Sequence, residues 1–334
     1  MTAHRLDRRL AILRGKRNGA FDRDQYYLER AARARVARRT RVLLRRMRPV
    51  VMVTPRWSQA RRFLDDVATD LLLGEPRVVC RTLSLAPLEG RTPHQAWNWL
   101  VLAITEFCDL RAGDGAWRMV SRHGFRHTLK DLFQRAEEDP TRRCLMIHGL
   151  EHMHVEALRD LIHVFEDHAH QREGEPRFNL LLAGSIDAPH FDIAGTERLV
   201  LTDFSEVEAL ETLVEHLGVD EIPKLRDLVS IVGGVPAMLD TFGQEVPGAI
   251  GEVIADRRAA WRVMGNLALE MQQAFSIVAA DDALHDRIEE MANADQPLPL
   301  DPRDDALIRA GLVRLEGGRA ELRAPVIGDL ALLE

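Results

Sequence analysis

The chain has 334 residues, 46% of them apolar, and its 45 basic and 52 acidic side chains give a net charge of -7. At about 150 residues per domain, this length predicts two compact domains or one with appendages, and the apolar share excludes global disorder. No run approaches the roughly 18 apolar residues of a membrane helix, and we see no apolar core of a secretory signal. Cys80, Cys108 and Cys144 contain no CxxC pair, which predicts reduced thiols in a cytoplasmic protein.

Charge is distributed unevenly along the chain. Residues 1–48 hold 16 basic and four acidic residues, a net charge of +12, so the other 286 residues carry 29 bases and 48 acids, a net charge of -19. A basic arm of this kind can neutralise nucleic-acid phosphates in a salt-dependent way, or it can pair with acidic protein surface in the same or another subunit. The candidate arginines for either role are Arg38, Arg39, Arg41, Arg45, Arg46 and Arg48.

Apolar periodicity predicts the secondary structure. Lines of apolar residues at helical spacing predict helices around 6–13 and 36–47, and a further helix begins near Ala60. Short apolar runs bounded by turn residues predict five strands, at 49–53, 77–83, 143–147, 178–183 and 198–201. Helices alternate with these strands, which predicts an α/β fold with a doubly wound parallel sheet.

The remainder of the chain is predicted to be mostly helical. Ser205 and Glu208 have the spacing of a capping box, with Gly218 at the expected end of that helix. Near the terminus, a helix over 304–310 precedes two short strands around Gly317-Gly318, an order typical of a winged helix. We therefore predict a basic helical arm (1–48), an α/β core (49–203), a helical lid (204–255) and a winged-helix-like domain (256–334).

The loop after the first strand lies where a phosphate-binding loop would be. A working loop reads GxxxxGK[ST]: glycines let backbone N–H groups surround the phosphates, Lys reaches the β- and γ-phosphates, and the hydroxyl binds Mg²⁺. Here Thr54 and Gln59 stand at the glycine positions and Trp57 lies between them. Ala60 replaces the lysine and Arg61 the hydroxyl residue. These substitutions predict loss of nucleotide binding, so neither a cofactor nor a catalytic residue is expected.

The acidic position after the third strand is altered as well. His148 stands where a carboxylate would organise Mg²⁺, and Glu151 follows three residues later. Losing the lysine and the metal ligand together costs about 3–6 kcal/mol, or about a hundred- to ten-thousand-fold in affinity. His148 and His152 have a metal-ligand spacing only on a helix, so no metal site is predicted.

Several of these segments, in this order, resemble the AAA+ and STAND groups of P-loop ATPases, including the branch similar to replication-origin initiators. Residues 144–151 resemble a degenerate Walker B strand, and 180–185 resemble a sensor-1 strand. Residues 201–209 (Leu-Thr-Asp-Phe-Ser-Glu-Val-Glu-Ala) resemble the L-x-x-F-S-x-x-E-A start of the lid, and 233–239 resemble its G-G-x-P-x-x-L helix. The resemblance implies an AAA+-like core with a lid, but the family's nucleotide residues cannot be transferred to these positions.

The leading functional hypothesis is therefore a pseudo-ATPase, a scaffold or regulatory subunit that retains the fold without the chemistry. Its expected partners are proteins, such as an active ATPase or effector subunit, or further copies of this chain, and no membrane. The second hypothesis is a DNA-binding assembly factor that uses the basic arm and the winged helix. The third is an ATPase with a non-standard loop, in which Arg61 or Arg62 replaces the lysine and weak ATP binding survives.

Overall fold

Five parallel strands form the centre of the first of two units into which the chain divides. The computed structural model describes residues 31–74, 78–108, 122–138, 141–170, 176–185, 196–217, 222–244 and 247–332. The first unit comprises the described parts of Met1–Thr54 and Ala60–Leu201. The second comprises those of Pro55–Gln59 and Thr202–Glu334.

The central sheet confirms the predicted doubly wound α/β class. Its strands are β1 (Val50–Val53), β2 (Val78–Ser84), β3 (Arg142–His148), β4 (Phe178–Gly184) and β5 (Glu197–Val200), in the spatial order β2-β3-β4-β1-β5. All neighbouring pairs are parallel. β4 is almost continuously apolar and β3 is apolar over residues 144–147, because both faces of these strands are covered.

Helices cover the two faces of this sheet. They are α1 (Ala31–Arg45), α2 (Ala60–Gly74), α3 (Pro93–Cys108), α4 (Arg122–Glu138) and α5 (Val155–His170). One apolar cluster joins α1 and α2 to one face, and a second joins α3, α4 and α5 to the other. Leu43, Leu44 and Met47 are buried in the first cluster. The end of the basic segment therefore contributes to the core of the first unit, while the predicted helix over 6–13 lies outside the described residues.

The second unit is mainly helical. Its helices are α6 (Glu206–Leu217), α7 (Ile222–Val232), α8 (Pro236–Gly243), α9 (Pro247–Ala255), α10 (Ala260–Met264), α11 (Asn266–Ala279), α12 (Asp282–Ala292), α13 (Asp304–Ala310) and α14 (Pro325–Ala331). A small antiparallel sheet has the order β6-β8-β7, from β6 (Leu298–Pro299), β7 (Val313–Glu316) and β8 (Arg319–Leu322). The four predicted domains are a finer division than these two units and stay a prediction.

The capping box predicted at α6 is confirmed. The Ser205 backbone N–H donates to Glu208 Oε2 at 3.0 Å, and the Glu208 N–H donates to Ser205 Oγ at 3.4 Å. Gly218 lies outside the described residues.

The lid segment also contains a close backbone approach. The Phe204 N–H donates to the Gly234 carbonyl at 2.9 Å, and a Cβ on Gly234 would lie 1.8 Å from the Phe204 carbonyl oxygen. The second glycine of the G-G-x-P segment is thus required by a close backbone approach.

The predicted terminal hairpin is also present. Gly317 and Gly318 turn between β7 and β8 with φ of 57° and 79°, as a two-residue hairpin turn requires. The buried pair Arg287–Asp304, with Nε and Oδ1 2.8 Å apart, ties α12 to the start of α13. Within the described residues, no helix is long and apolar enough to cross a membrane.

Candidate functional site

The loop between β1 and α2 keeps a glycine-like backbone without glycines. Trp57 has φ of 60° and Gln59 has φ of 57°, in the left-handed region that favours glycine. Gln59 stands at the position that the sequence analysis aligned with the second glycine of a phosphate-binding loop. For side chains other than glycine, such conformations cost about 1–3 kcal/mol and persist only where the surroundings impose them.

Residues of the second unit impose this conformation on residues 55–59. The guanidinium of Arg323, which is 2% exposed, donates to the Arg56 carbonyl at 2.5 Å and to the Gly311 carbonyl at 3.0 Å. It lies 5.8 Å from the centroid of the Trp57 ring. The Ala237 N–H donates to the Trp57 carbonyl at 3.1 Å. Two successive carbonyls of the loop and one of its side chains are therefore engaged inside the second unit.

Asp203 completes this cluster. Its carboxylate accepts from Arg323 Nε at 2.8 Å and from Arg323 Nη2 at 2.5 Å, and both side chains are buried. Because removal of one partner would leave an uncompensated buried charge, breaking such a pair costs about 3–5 kcal/mol. A Cβ on Gly311 would lie 2.6 Å from the Cβ of Arg56, so the turn after α13 also packs tightly on the loop.

The carboxyl edge of the sheet in the first unit carries His148 at the end of β3. His148 is 8% exposed, and burial, together with the nearby Arg61 guanidinium, lowers its pKa from 6.5 to about 4. The imidazole is therefore neutral at pH 7. A neutral imidazole does not supply the negative charge that a carboxylate offers to Mg²⁺, which prefers oxygen ligands.

The Glu151 carboxylate is bound to the protein backbone. Its Oε2 accepts from the Ser185 N–H at 3.0 Å, and a Cβ on Gly184 would lie 2.9 Å from the same oxygen. The carboxylate thereby holds the end of β4, where the resemblance places a sensor residue. The Ser185 hydroxyl is buried and has no hydrogen-bond partner among the described residues.

The arginine expected at the hydroxyl position has a different environment. The Arg61 guanidinium lies at the ion-pair limit of 4.0 Å from Asp65 and is mostly exposed. Asp65 itself accepts a hydrogen bond from Thr82. Neither Ala60 nor Arg61 carries the lysine amine or the hydroxyl that the loop motif places at the start of this helix.

The six candidate arginines for an anionic partner lie on or just after α1. Three of them have acidic partners in the first unit: Arg39 and Arg48 contact Glu197 at 3.1 and 3.7 Å, and Arg41 contacts Asp70 at 2.9 Å. The other three, Arg38, Arg45 and Arg46, are exposed. Ion pairs within the first unit thus engage Arg39, Arg41 and Arg48.

Sequence reasoning missed the Asp203–Arg323 pair. Asp203 lies in the 201–209 segment and Arg323 directly follows β8, but 120 residues separate them. No local pattern signals a contact of this range. The available hint was an arginine at the end of a hairpin, which is too common to identify a buried pair.

The chain was compared with known proteins. No protein-family model matches the sequence, and no curated protein does. Among solved structures, a Walker-type ATPase of Pyrococcus abyssi aligns with a TM-score of 0.56 at 13% identity, covering 90% of this chain and 95% of that one. The Cdc6p structure of Pyrobaculum aerophilum aligns at 0.49 and 9% identity, covering 91% and 94%. A STAND protein of Pyrococcus horikoshii with a tetratricopeptide repeat sensor aligns at 0.41 and 13% identity, covering 88% of this chain and 41% of that one.

The first of these alignments, together with the strand order, shows the fold. The five-stranded parallel sheet with flanking helices is that of the AAA+ P-loop ATPases, as the sequence resemblance implied. Identity this low shows the fold and no activity, because one fold supports many functions and activity depends on the residues of the site.

Proposed function

We propose that this chain is a catalytically inactive, AAA+/STAND-like pseudo-ATPase that acts as a scaffold or regulatory subunit of a larger assembly. One observation carries the proposal: the loop at the phosphate-binding position is bound to the Arg323–Asp203 pair within its own chain. The absence of lysine and hydroxyl side chains at Ala60 and Arg61 supports it, as does neutral His148 in place of the Mg²⁺-organising carboxylate.

The pseudo-ATPase proposal predicts neither ATP hydrolysis nor ATP binding. Phosphate release by the purified chain in Mg-ATP should equal that of a protein-free blank, and calorimetric titration should detect no binding below about millimolar concentration. Arg61→Ala and Glu151→Gln are the matched variants, because a contaminating ATPase would give the same trace rate in all three preparations. Turnover that disappears in either variant would overturn the proposal and favour the ATPase with a non-standard loop.

A scaffold also needs a partner. Size-exclusion chromatography with light scattering tests self-assembly, and purification of the tagged chain from its own cells, followed by mass spectrometry, tests a protein partner. We expect a stoichiometric companion in at least one of the two measurements. A chain that stays monomeric and has no stoichiometric companion in its own cells would contradict the scaffold role.

DNA binding is the second candidate, and the exposed arginines of α1 favour it. The order of α13, β7 and β8, which resembles a winged helix, is compatible with it. Gel shifts at two salt concentrations should compare Arg38→Gln/Arg46→Gln with the control Arg39→Gln/Arg41→Gln. If DNA is bound, loss of two phosphate contacts reduces the slope of log affinity against log salt concentration by about 1.8. The control variant should change this slope less, because its arginines pair with acidic residues of the same chain. Equal slopes for both variants would argue against α1 as the contact surface.

A further inference from the structure

Two buried cysteines occupy paired positions on neighbouring strands of the central sheet. Cys80 on β2 and Cys144 on β3 are direct register partners in the parallel sheet. Adjacent strands lie about 4.8 Å apart and register partners share a face, so the two thiols are neighbours. They are 5% and 0% exposed and belong to the apolar cluster beneath α1 and α2.

Met47 brings a third sulfur to this pair. Its Sδ lies 3.9 Å from Cys144 Sγ, and its side chain is 1% exposed in the same cluster. Met47 follows α1, and the next N–H, that of Arg48, donates to the Leu43 carbonyl at 2.9 Å, which closes the helix end. The backbone of Met47 has φ of 52° there.

That conformation is unusual for methionine. The residue that ends a helix in the left-handed region is ordinarily glycine or asparagine, and another side chain costs about 1–2 kcal/mol. The chain therefore accepts backbone strain at a position that directs a thioether against a buried thiol. Strain of this kind is a reason to look for a function of the side chain.

We propose that Cys80, Cys144 and Met47 form a closed binding site for a soft monovalent metal ion, Cu(I). Thiolate and thioether ligands favour soft metals such as Cu(I), whereas Zn²⁺ takes cysteine, histidine and carboxylate ligands and not the methionine thioether. Two sulfurs bound to one trigonal metal with bonds of about 2.3 Å lie about 4.0 Å apart, and Met47 Sδ and Cys144 Sγ are already 3.9 Å apart.

Binding converts two thiols and Cu(I) into a bis-thiolate complex and releases two protons, with no change of oxidation state. The site has no open position for substrate and lies in a core, so its effect is structural. It links the end of α1 to β2 and β3, and the free energy of metal binding adds to that of folding.

The test uses the full-length reduced chain under anaerobic conditions. Cu(I) is supplied as its bathocuproine disulfonate complex, and transfer is followed by the loss of absorbance of that complex. We expect one Cu(I) per chain and a higher melting temperature of the loaded protein. Failure of the wild-type chain to withdraw copper from the competitor would overturn the proposal.

Variants assign the ligands. Cys80→Ser and Cys144→Ser should lose copper retention, and Met47→Leu should weaken it at least about tenfold, since even outer partners of metal ligands contribute about 10–100-fold. The control is Cys108→Ser: Cys108 is equally buried but lies on α3 in the other apolar cluster. Copper retention by both Cys80→Ser and Cys144→Ser, or an equal loss of copper by Cys108→Ser, would contradict the assignment of the ligands.

A readout without mutations covers the case in which a variant fails to fold. X-ray absorption of the copper-loaded wild-type chain should show three sulfur neighbours at about 2.2–2.3 Å. A first shell of nitrogen or oxygen would place the ion elsewhere and refute the site. ATP assays do not enter either measurement, so the outcome is independent of the pseudo-ATPase proposal.

Discussion

Arg323 and Asp203 form a two-bond ion pair in which Nε and Nη2 of the arginine contact the two carboxylate oxygens at 2.8 and 2.5 Å. The remaining guanidinium nitrogen, Nη1, donates to the carbonyls of Arg56 and Gly311. One side chain thus joins the start of the lid, the β1–α2 loop and the turn before β7, all within the second unit.

Arg323→Ala should destabilise the protein by about 3–5 kcal/mol, because it leaves the buried Asp203 carboxylate without a counter-ion. Urea unfolding monitored by tryptophan fluorescence measures the change. Arg314→Ala is the control from the same hairpin: its contact with Glu321 is partly exposed, and its loss should cost less than about 1 kcal/mol. Equal destabilisation by the two variants would show that the buried Arg323–Asp203 pair contributes no more to stability than the partly exposed Arg314–Glu321 contact.

Gly234→Ala should cost at least about 3 kcal/mol, since its Cβ would overlap the Phe204 carbonyl oxygen and the backbone would have to move. Gly251→Ala is a matched control within α9, where a Cβ meets nothing within 4 Å. That substitution should stabilise the helix by about 0.5–1 kcal/mol. Thermal unfolding should therefore show a lower melting temperature for Gly234→Ala and a higher one for Gly251→Ala. An unchanged melting temperature of Gly234→Ala would contradict the close approach of Gly234 to Phe204.

The sequence predicted the sheet well because β1 to β4 each contain a short apolar run whose burial is encoded locally, whereas β5 is partly exposed. It predicted the α6 capping box for the same reason, since Ser205 and Glu208 are three residues apart. The Arg323–Asp203 pair was beyond its reach, because a contact between distant residues leaves no spacing to recognise. Charge alone grouped residues 31–45 with a basic arm, whereas the apolar residues of α1 are part of the core. Glu151 was identified as a candidate carboxylate, but its bond to the Ser185 backbone depends on the approach of β4.

His148 makes stability depend on pH. Its pKa is lowered from 6.5 to about 4 by burial and by Arg61, so between these values the unfolded chain binds a proton that the folded chain does not. The contribution of His148 to the free energy of unfolding should therefore be constant above about pH 6.5 and fall by up to about 3 kcal/mol as the pH drops to about 4. Urea unfolding across this range measures the fall. His148→Gln should flatten that part of the profile, and an unchanged profile would show that other groups cause it.

Leu44→Ala tests whether α1 is part of the core. Leu44 is fully buried beneath the helix, so truncation should cost about 2–5 kcal/mol. Val42→Ala, two residues earlier on the exposed side, should change stability by less than about 0.5 kcal/mol. Chemical denaturation compares the two, and a small effect of Leu44→Ala would mean that α1 can leave the sheet without loss of folding.

The assignment of Pro55–Gln59 to the second unit also limits how the protein can be divided for experiments. A fragment that ends at residue 201 contains Arg56 and Trp57 but lacks Asp203, Ala237 and Arg323. Its loop would present an unpaired indole and two unsatisfied carbonyls that the intact chain covers. Binding by such a fragment would report on a surface created by the cut, so partner mapping requires point variants in the full-length chain.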